Sequence, residues 1–189
     1  RRHTRYPLVT GVQTCALPIL LFSGQGAQRV GMGTDVAEAS PAARKVLELG
    51  SGILPSDFSA VLKAGPEETL TRTAYCQPAL YLHGLALLAV LKEKKPDFSF
   101  AATAGLSLGE FTAHAAGGTF SIEDGLRLVA RRGVLMDEAC ARRKGAMLAL
   151  LGADEVLAGK VAAAAGWEVR SEEHTSEFQS RVDISYAVF

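Results

Sequence analysis

An α/β fold with parallel strand pairing is the class this sequence predicts, and two observations carry it. Short apolar runs, at Leu20–Phe22, Phe98–Ala104 and Ala146–Leu151, alternate with helical stretches. Each run also ends in glycine-containing turn signals, as strands feeding helices in parallel sheets do. A parallel sheet needs more strands than these, so the segment reads as a truncated domain.

The elements follow in order. Leu20-Leu21-Phe22 ends in Ser-Gly, as a buried strand entering a turn does. Ser40 before Pro41 has the form of an N-cap followed by proline at the first helical position. Pro66-Glu67-Glu68 opens a short helix whose dipole favours acids in its first turn. Pro78 is expected to begin a helix to about Lys94, apolar nearly all round and therefore buried. Phe98–Ala104 is the second strand, and Leu108 to about Ala116 the helix leaving it. Ser121 with Asp124 resembles a capping box and starts a helix to about Arg142. Ala146–Leu151 and Glu155–Ala165 complete the pattern.

Composition narrows the function classes. Twenty basic residues balance 20 acidic ones, so nothing in the net charge attracts nucleic acid or an anionic membrane. The longest apolar run, near Leu80–Leu91, is interrupted by Tyr81 and His83 and reads as too short to span a bilayer. Cys15, Cys76 and Cys140 have no CxxC spacing and no zinc-site histidines, so free thiols in a reducing cytoplasm are expected, with no metal.

The two ends have a different character. Residues 1–19 and 170–189 lack amphipathic period and resemble translated sequencing adapters. TGT-GCT-CTT-CCG-ATC-T encodes Cys15–Ile19 and the first base of the next codon, and its reverse complement, AGATCGGAAGAGCACA, reads Arg170-Ser171-Glu172-Glu173-His174. AGA-CGG-CAT-ACG-AGA-T encodes Arg1–Arg5 and the first base of the next codon, and its opposite strand, ATCTCGTATGCCGTCT, reads Ile184-Ser185-Tyr186-Ala187-Val188. One DNA element read on both strands accounts for both ends. His3, Cys15, His174 and Glu172–Glu173 therefore receive no functional weight, and Leu20–Val169 is taken as the biological segment.

Gly105-Leu106-Ser107-Leu108-Gly109 has the form G-x-S-x-G between a strand and a helix. A sharp turn there exposes the Ser107 hydroxyl, and the N–H of Leu108 at the helix start can face an oxyanion. Alone, the pentapeptide also fits a turn that merely joins two elements. Gly24-Gln25-Gly26 follows the first strand, where a loop at the carboxyl edge of the sheet faces a ligand crevice. It is no dinucleotide fingerprint, because Arg29 stands where the third glycine would be. Gln77 places an amide at the mouth of the buried helix, where a simple N-terminal cap is the plainer reading. Arg132 falls, at about 100° per residue, between Leu128 and Leu135 on one side and Val129 and Met136 on the other. Such an arginine needs an anionic partner, because an unpaired buried charge is very costly. A protein carboxylate and a substrate carboxylate both satisfy that need.

FSGQGAQRVGMG, QPALY, GLSLGEFTAHAAG and RRGVLMDEA, in this order and spacing, resemble the malonyl-CoA:acyl-carrier-protein transacylases of fatty-acid synthesis. The resemblance covers nearly all of Leu20–Val169. It implies that Ser107 takes the acyl group from malonyl-CoA, that Gln25 and the N–H of Leu108 form the oxyanion hole, and that Arg132 pairs with the malonyl carboxylate. Gln77 corresponds to a glutamine that shapes the pocket, and acyl carrier protein is the implied acceptor. No cofactor is implied. Neither a nucleic acid nor a membrane partner is expected. The implied architecture is a hydrolase-like α/β domain, here residues 20–145, with helices on both faces of its sheet. A small ferredoxin-like subdomain would begin in residues 146–169.

This sequence departs from the family pattern at Leu106, usually histidine, and at Ser23, usually proline. The family's catalytic histidine lies beyond the matching segment, and neither His83 nor His114 corresponds to it. The alternatives are a polyketide-synthase acyltransferase domain, an α/β-hydrolase of the esterase or lipase kind, and an inert read-through fragment. The hydrolase reading needs neither Arg132 nor the Gln25 amide.

Overall fold

The computed structural model describes residues 17–142, 148–150, 154–166, 169–171 and 186–188. His3, Cys15, Glu172–Glu173, His174 and Ala146, the expected start of the third strand, lie outside the described residues.

Strand β1 (Ile19–Phe22) pairs in parallel with β2 (Ala102–Gly105), in a register that sets Phe22 against Gly105. Between them run α1 (Thr34–Ala39), α2 (Pro41–Glu48), α3 (Phe58–Ala64), α4 (Glu67–Thr71) and α5 (Thr73–Lys94). After β2 come α6 (Leu108–Ala116) and α7 (Ile122–Arg142). The α/β class read from the sequence is the class observed. Because β1 and β2 are parallel, the loops after Phe22 and after Gly105 leave the same edge of the sheet.

The capping signals produce the helices they announce. Ser40 Oγ accepts the Ala43 N–H at 3.1 Å and donates to Glu93 Oε2, joining the start of α2 to the end of α5. Ser121 Oγ accepts the Asp124 N–H at 3.0 Å, the cap that precedes α7. Two short helices, α1 and α3, carry no signal that the sequence reading used.

Two boundaries need correction. The second strand does not extend from Phe98 but occupies only Ala102–Gly105, because its partner β1 is four residues long. Phe98 instead closes a turn through its N–H on Lys95 O, and Phe100 lies in the irregular stretch between that turn and the strand. Helix α5 begins at Thr73, not at Pro78, which lies inside it. Its early start has a partner in α7, since Asp137 Oδ1 accepts the N–H of Thr73 at 3.1 Å.

The core lies where α5 packs on α2 and α7. Tyr81, Leu82, Ala79, Leu126 and Val129 are fully buried there. Gly125 and Gly133 of α7 make the close approach possible: a Cβ on Gly125 would lie 2.1 Å from Tyr81 Oη, and one on Gly133 2.7 Å from Thr73 O. Helices α5 and α6 cover one face of the strand pair, where Gly84 and Thr112 meet Phe22. Among the described residues nothing covers the other face, and Leu21 is 69% exposed. By length and composition α5 could cross a membrane, correcting the expectation from the interrupted run, yet most of its apolar window is buried inside this fold.

A second sheet is built from β3 (Leu148–Leu150), β4 (Val169–Ser171) and β5 (Tyr186–Val188), in the order β3-β5-β4 with both pairings antiparallel. Helix α8 (Glu155–Ala165) separates β3 from β4 and is capped by Asp154, whose Oδ1 accepts the Leu157 N–H at 2.7 Å. Strand β5 and Arg170–Ser171 of β4 fall within residues 170–189, which the sequence reading left out of the fold. Tyr-Ala-Val has the aromatic and β-branched character that favours an extended chain. Ladder pairing uses backbone groups, so such a segment can join an open strand edge.

Candidate active site

The turn between β2 and α6 is shaped by two glycines. A Cβ on Gly105 would lie 2.0 Å from the carbonyl carbon of Gly109, and one on Gly109 would lie 2.2 Å from Phe22 O. Only glycine allows β1, β2 and the first turn of α6 to approach so closely. Ser107 at the apex has φ 53° and ψ −101°, and is the described non-glycine residue with positive φ. A serine held there is strained, and such strain gathers at functional sites. The turn is closed by the Gly109 N–H on Leu106 O at 2.8 Å and leaves Ser107 exposed. Leu108, buried behind it, opens α6, so its N–H has no acceptor within the helix.

The other expected residues converge on this turn. Gly24 packs against it so tightly that a Cβ there would lie 2.9 Å from Leu106 O, which carries Gln25 alongside. Gln77, 1% exposed on α5, points Nε2 toward Gln25 Oε1 at 3.4 Å and toward Met136 Sδ at 3.2 Å. Its Oε1 is buried without a hydrogen-bond partner. The amide therefore does more than cap a helix: it faces the Gln25 loop. Arg132 reaches across from α7, and its Nη2 donates to Ser107 Oγ at 2.9 Å. The guanidinium also lies over the Phe111 ring, 5.6 Å from its centroid.

The surroundings of Arg132 correct one part of the sequence reading. Val129 is buried, but Leu128 and Leu135 are about half exposed, so Arg132 stands at the border of the buried face rather than within an apolar arc. Its Nη1 is nevertheless buried with no hydrogen-bond partner. Among the described residues the ion pair is Arg72 with Asp137, and Arg132 faces no carboxylate in this way. The arrangement offers a half-satisfied cationic fork beside a strained serine hydroxyl.

Two residues of the site gave no separate signal in the sequence. Phe111 lies one turn after the serine, and Asp137 one residue beyond Met136. Met136, read only as a flank of Arg132, receives the Gln77 amide. The spacing of Met136 four residues after Arg132 puts both on one side of α7, and that periodicity is the signal that could have found it.

The histidines stay apart from this chemistry. His114 faces Thr119 Oγ1 at 3.3 Å and the Phe120 ring. His83 has a buried Nδ1 without a partner, next to Gly33, and burial lowers its pKa. No His, Cys, Asp and Glu group capable of holding a metal occurs among the described residues. A cavity of about 500 Å³, lined by Met32, Leu47, Leu54, Phe58 and Leu62, includes none of the five expected site residues.

Residues 19–166 match the acyl transferase domain family. The chain belongs to that family. Among curated relatives, the malonyl CoA-acyl carrier protein transacylase of Bacillus subtilis is 41% identical over 136 residues, covering 71% of this chain and 42% of that protein. Among solved structures, the corresponding transacylase of Clostridium perfringens superposes with a TM-score of 0.73 at 30% identity, over 92% of this chain and 54% of that one. A malonyl-transacylase in complex with a type II PKS acyl-carrier protein gives a TM-score of 0.75 at 32% identity, over 91% and 55% of the two chains. This acyltransferase chain thus spans about half the length of the relatives it matches.

Proposed function

We propose that the full-length acyltransferase containing this segment transfers a malonyl group from coenzyme A to the thiol of an acyl carrier protein, through an ester on Ser107. The observation that carries this reading is the contact of Arg132 Nη2 with Ser107 Oγ, with Nη1 left buried and free. A hydrolase acting on uncharged esters needs no such fork. The names of the relatives from Bacillus subtilis and Clostridium perfringens support the same substrate class.

The proposed steps begin with the substrate. Arg132 holds the malonyl carboxylate, which orients the thioester carbonyl over the turn. Ser107 Oγ attacks that carbonyl, forming a C–O bond while its proton passes to a general base. The resemblance implies that this base is a histidine beyond the matching segment. Negative charge collects on the former carbonyl oxygen, where the N–H of Leu108 and the Gln25 loop, buttressed by Gln77, stabilise it. The C–S bond then breaks, and coenzyme A leaves as the thiol after taking a proton. In the second half the carrier-protein thiol attacks the ester, and Ser107 recovers its proton. No redox change occurs. Activity is assigned to the full-length protein, acting in the cytoplasm, and the 189 residues alone are taken as inactive.

Initial rates with malonyl-CoA and a phosphopantetheinylated carrier protein test the reading. Parallel double-reciprocal lines, with malonyl-carrier protein appearing by mass, are expected of a serine-bound intermediate. Intersecting lines without a serine-bound species would overturn it.

A further inference from the structure

We propose that Asp137 is a positioning residue of this acyltransferase site, holding the first turn of α5 so that Gln77 stays against Gln25; the proposal rests on the reading that Ser107 is loaded with malonate. Helix α5 has no side-chain cap of its own, because its N-cap residue is Arg72. The cap comes from another helix. Asp137 of α7 accepts the Thr73 N–H through Oδ1 at 3.1 Å, and through Oδ2 the Ala74 N–H and Arg72 Nη2, both at 3.4 Å. Its carboxylate thereby occupies the positive end of the α5 dipole.

The need for an outside cap lies in the sequence of the turn it holds. Pro78 lacks the N–H that would bond Ala74 O, so Thr73–Gln77 is tied more weakly to the rest of α5 than an ordinary first turn. Gln77 is the last residue of that loosened turn. Helix α7 holds it at three successive points. Gly133 lets the α7 backbone abut Thr73 and Ala74, Met136 Sδ receives Gln77 Nε2, and Asp137 takes the free N–H groups. Arg132 belongs to the same stretch and reaches Ser107. One segment, Arg132–Asp137, therefore sets both the carboxylate fork and the glutamine behind the Gln25 loop. Loss of the Asp137 carboxylate frees Gln77 while leaving Arg132 in place.

Single-turnover acylation of the full-length acyltransferase by malonyl-CoA, well below its Tm, provides the test, paired with hydrogen exchange at Thr73 and Ala74. Asp137→Ala is expected to slow loading roughly tenfold with KM nearly unchanged, and to speed exchange at both amides. Asp137→Asn keeps acceptor oxygen without charge and is expected to load about threefold more slowly than wild type; it carries the comparison should the alanine variant not fold. Wild-type loading rates in a folded variant overturn the proposal, whether Tm falls or not, because a purely structural cap moves Tm alone. Unchanged exchange at Thr73 and Ala74 also overturns it. Failure of the wild-type enzyme to load malonate at all is a different result: it removes the proposed function, and the positioning role with it.

Discussion

Arg132 Nη2 lies 2.9 Å from Ser107 Oγ, although 25 residues and a helix separate them. The contact joins the helix that carries the charge to the turn that carries the hydroxyl. Its Nη1 is buried without a hydrogen-bond partner, so the guanidinium keeps an unused donor beside the serine. Replacing Arg132 with alanine in the full-length enzyme should cost about 2–4 kcal/mol of transition-state binding for malonyl-CoA, roughly 30- to 1000-fold in kcat/KM. Acetyl-CoA should lose much less. Lysine should rescue in part, since a point charge lacks the fork. Comparing both substrates alongside Tm checks this. Equal losses on both, with a lowered Tm, would assign Arg132 to structure.

Cys76 lies fully buried beside Gln77, and burial together with the nearby Asp137 charge pushes its thiol up to about 11 from an ordinary value near 9. The folded state therefore prefers the protonated thiol. Its contribution to stability is complete below the unfolded pKa and is lost as pH rises from about 9 through about 11. At pH 8, iodoacetamide should modify exposed Cys140 much faster than Cys76. Equal labelling rates in the folded protein would contradict the buried placement.

The turn chemistry was legible in the sequence because it depends on local rules: G-x-S-x-G, the Ser40 and Ser121 caps and the acidic start at Glu67 each need only a few neighbouring residues. The start of α5 was not. Pro78 reads locally as a first-turn proline, whereas the true start at Thr73 depends on a carboxylate 64 residues away in sequence. The exposure of Leu128 and Leu135 was hidden for a similar reason, since periodicity identifies a face but not what covers it. The candidate site residues were named from motif order, and their mutual contacts emerge only from the packing of α5 on α7.

Among the described residues the main core cluster lies between Met32 and Val129, and strand β5 contributes to a separate sheet. We expect removal of residues 1–16 and 172–189 to leave the unfolding free energy of the main body within about 1 kcal/mol of the intact chain, consistent with the small effect of changes away from a core. Urea unfolding followed by far-ultraviolet circular dichroism checks this. A loss of several kcal/mol would give the ends a structural role.

The account rests on Ser107 as the acyl carrier, and intact-mass analysis tests that most directly. After mixing the full-length enzyme with malonyl-CoA, one malonyl group should be added, the ester should map to Ser107, and Ser107→Ala should remain unmodified. A malonyl adduct that persists in the alanine variant would contradict the account.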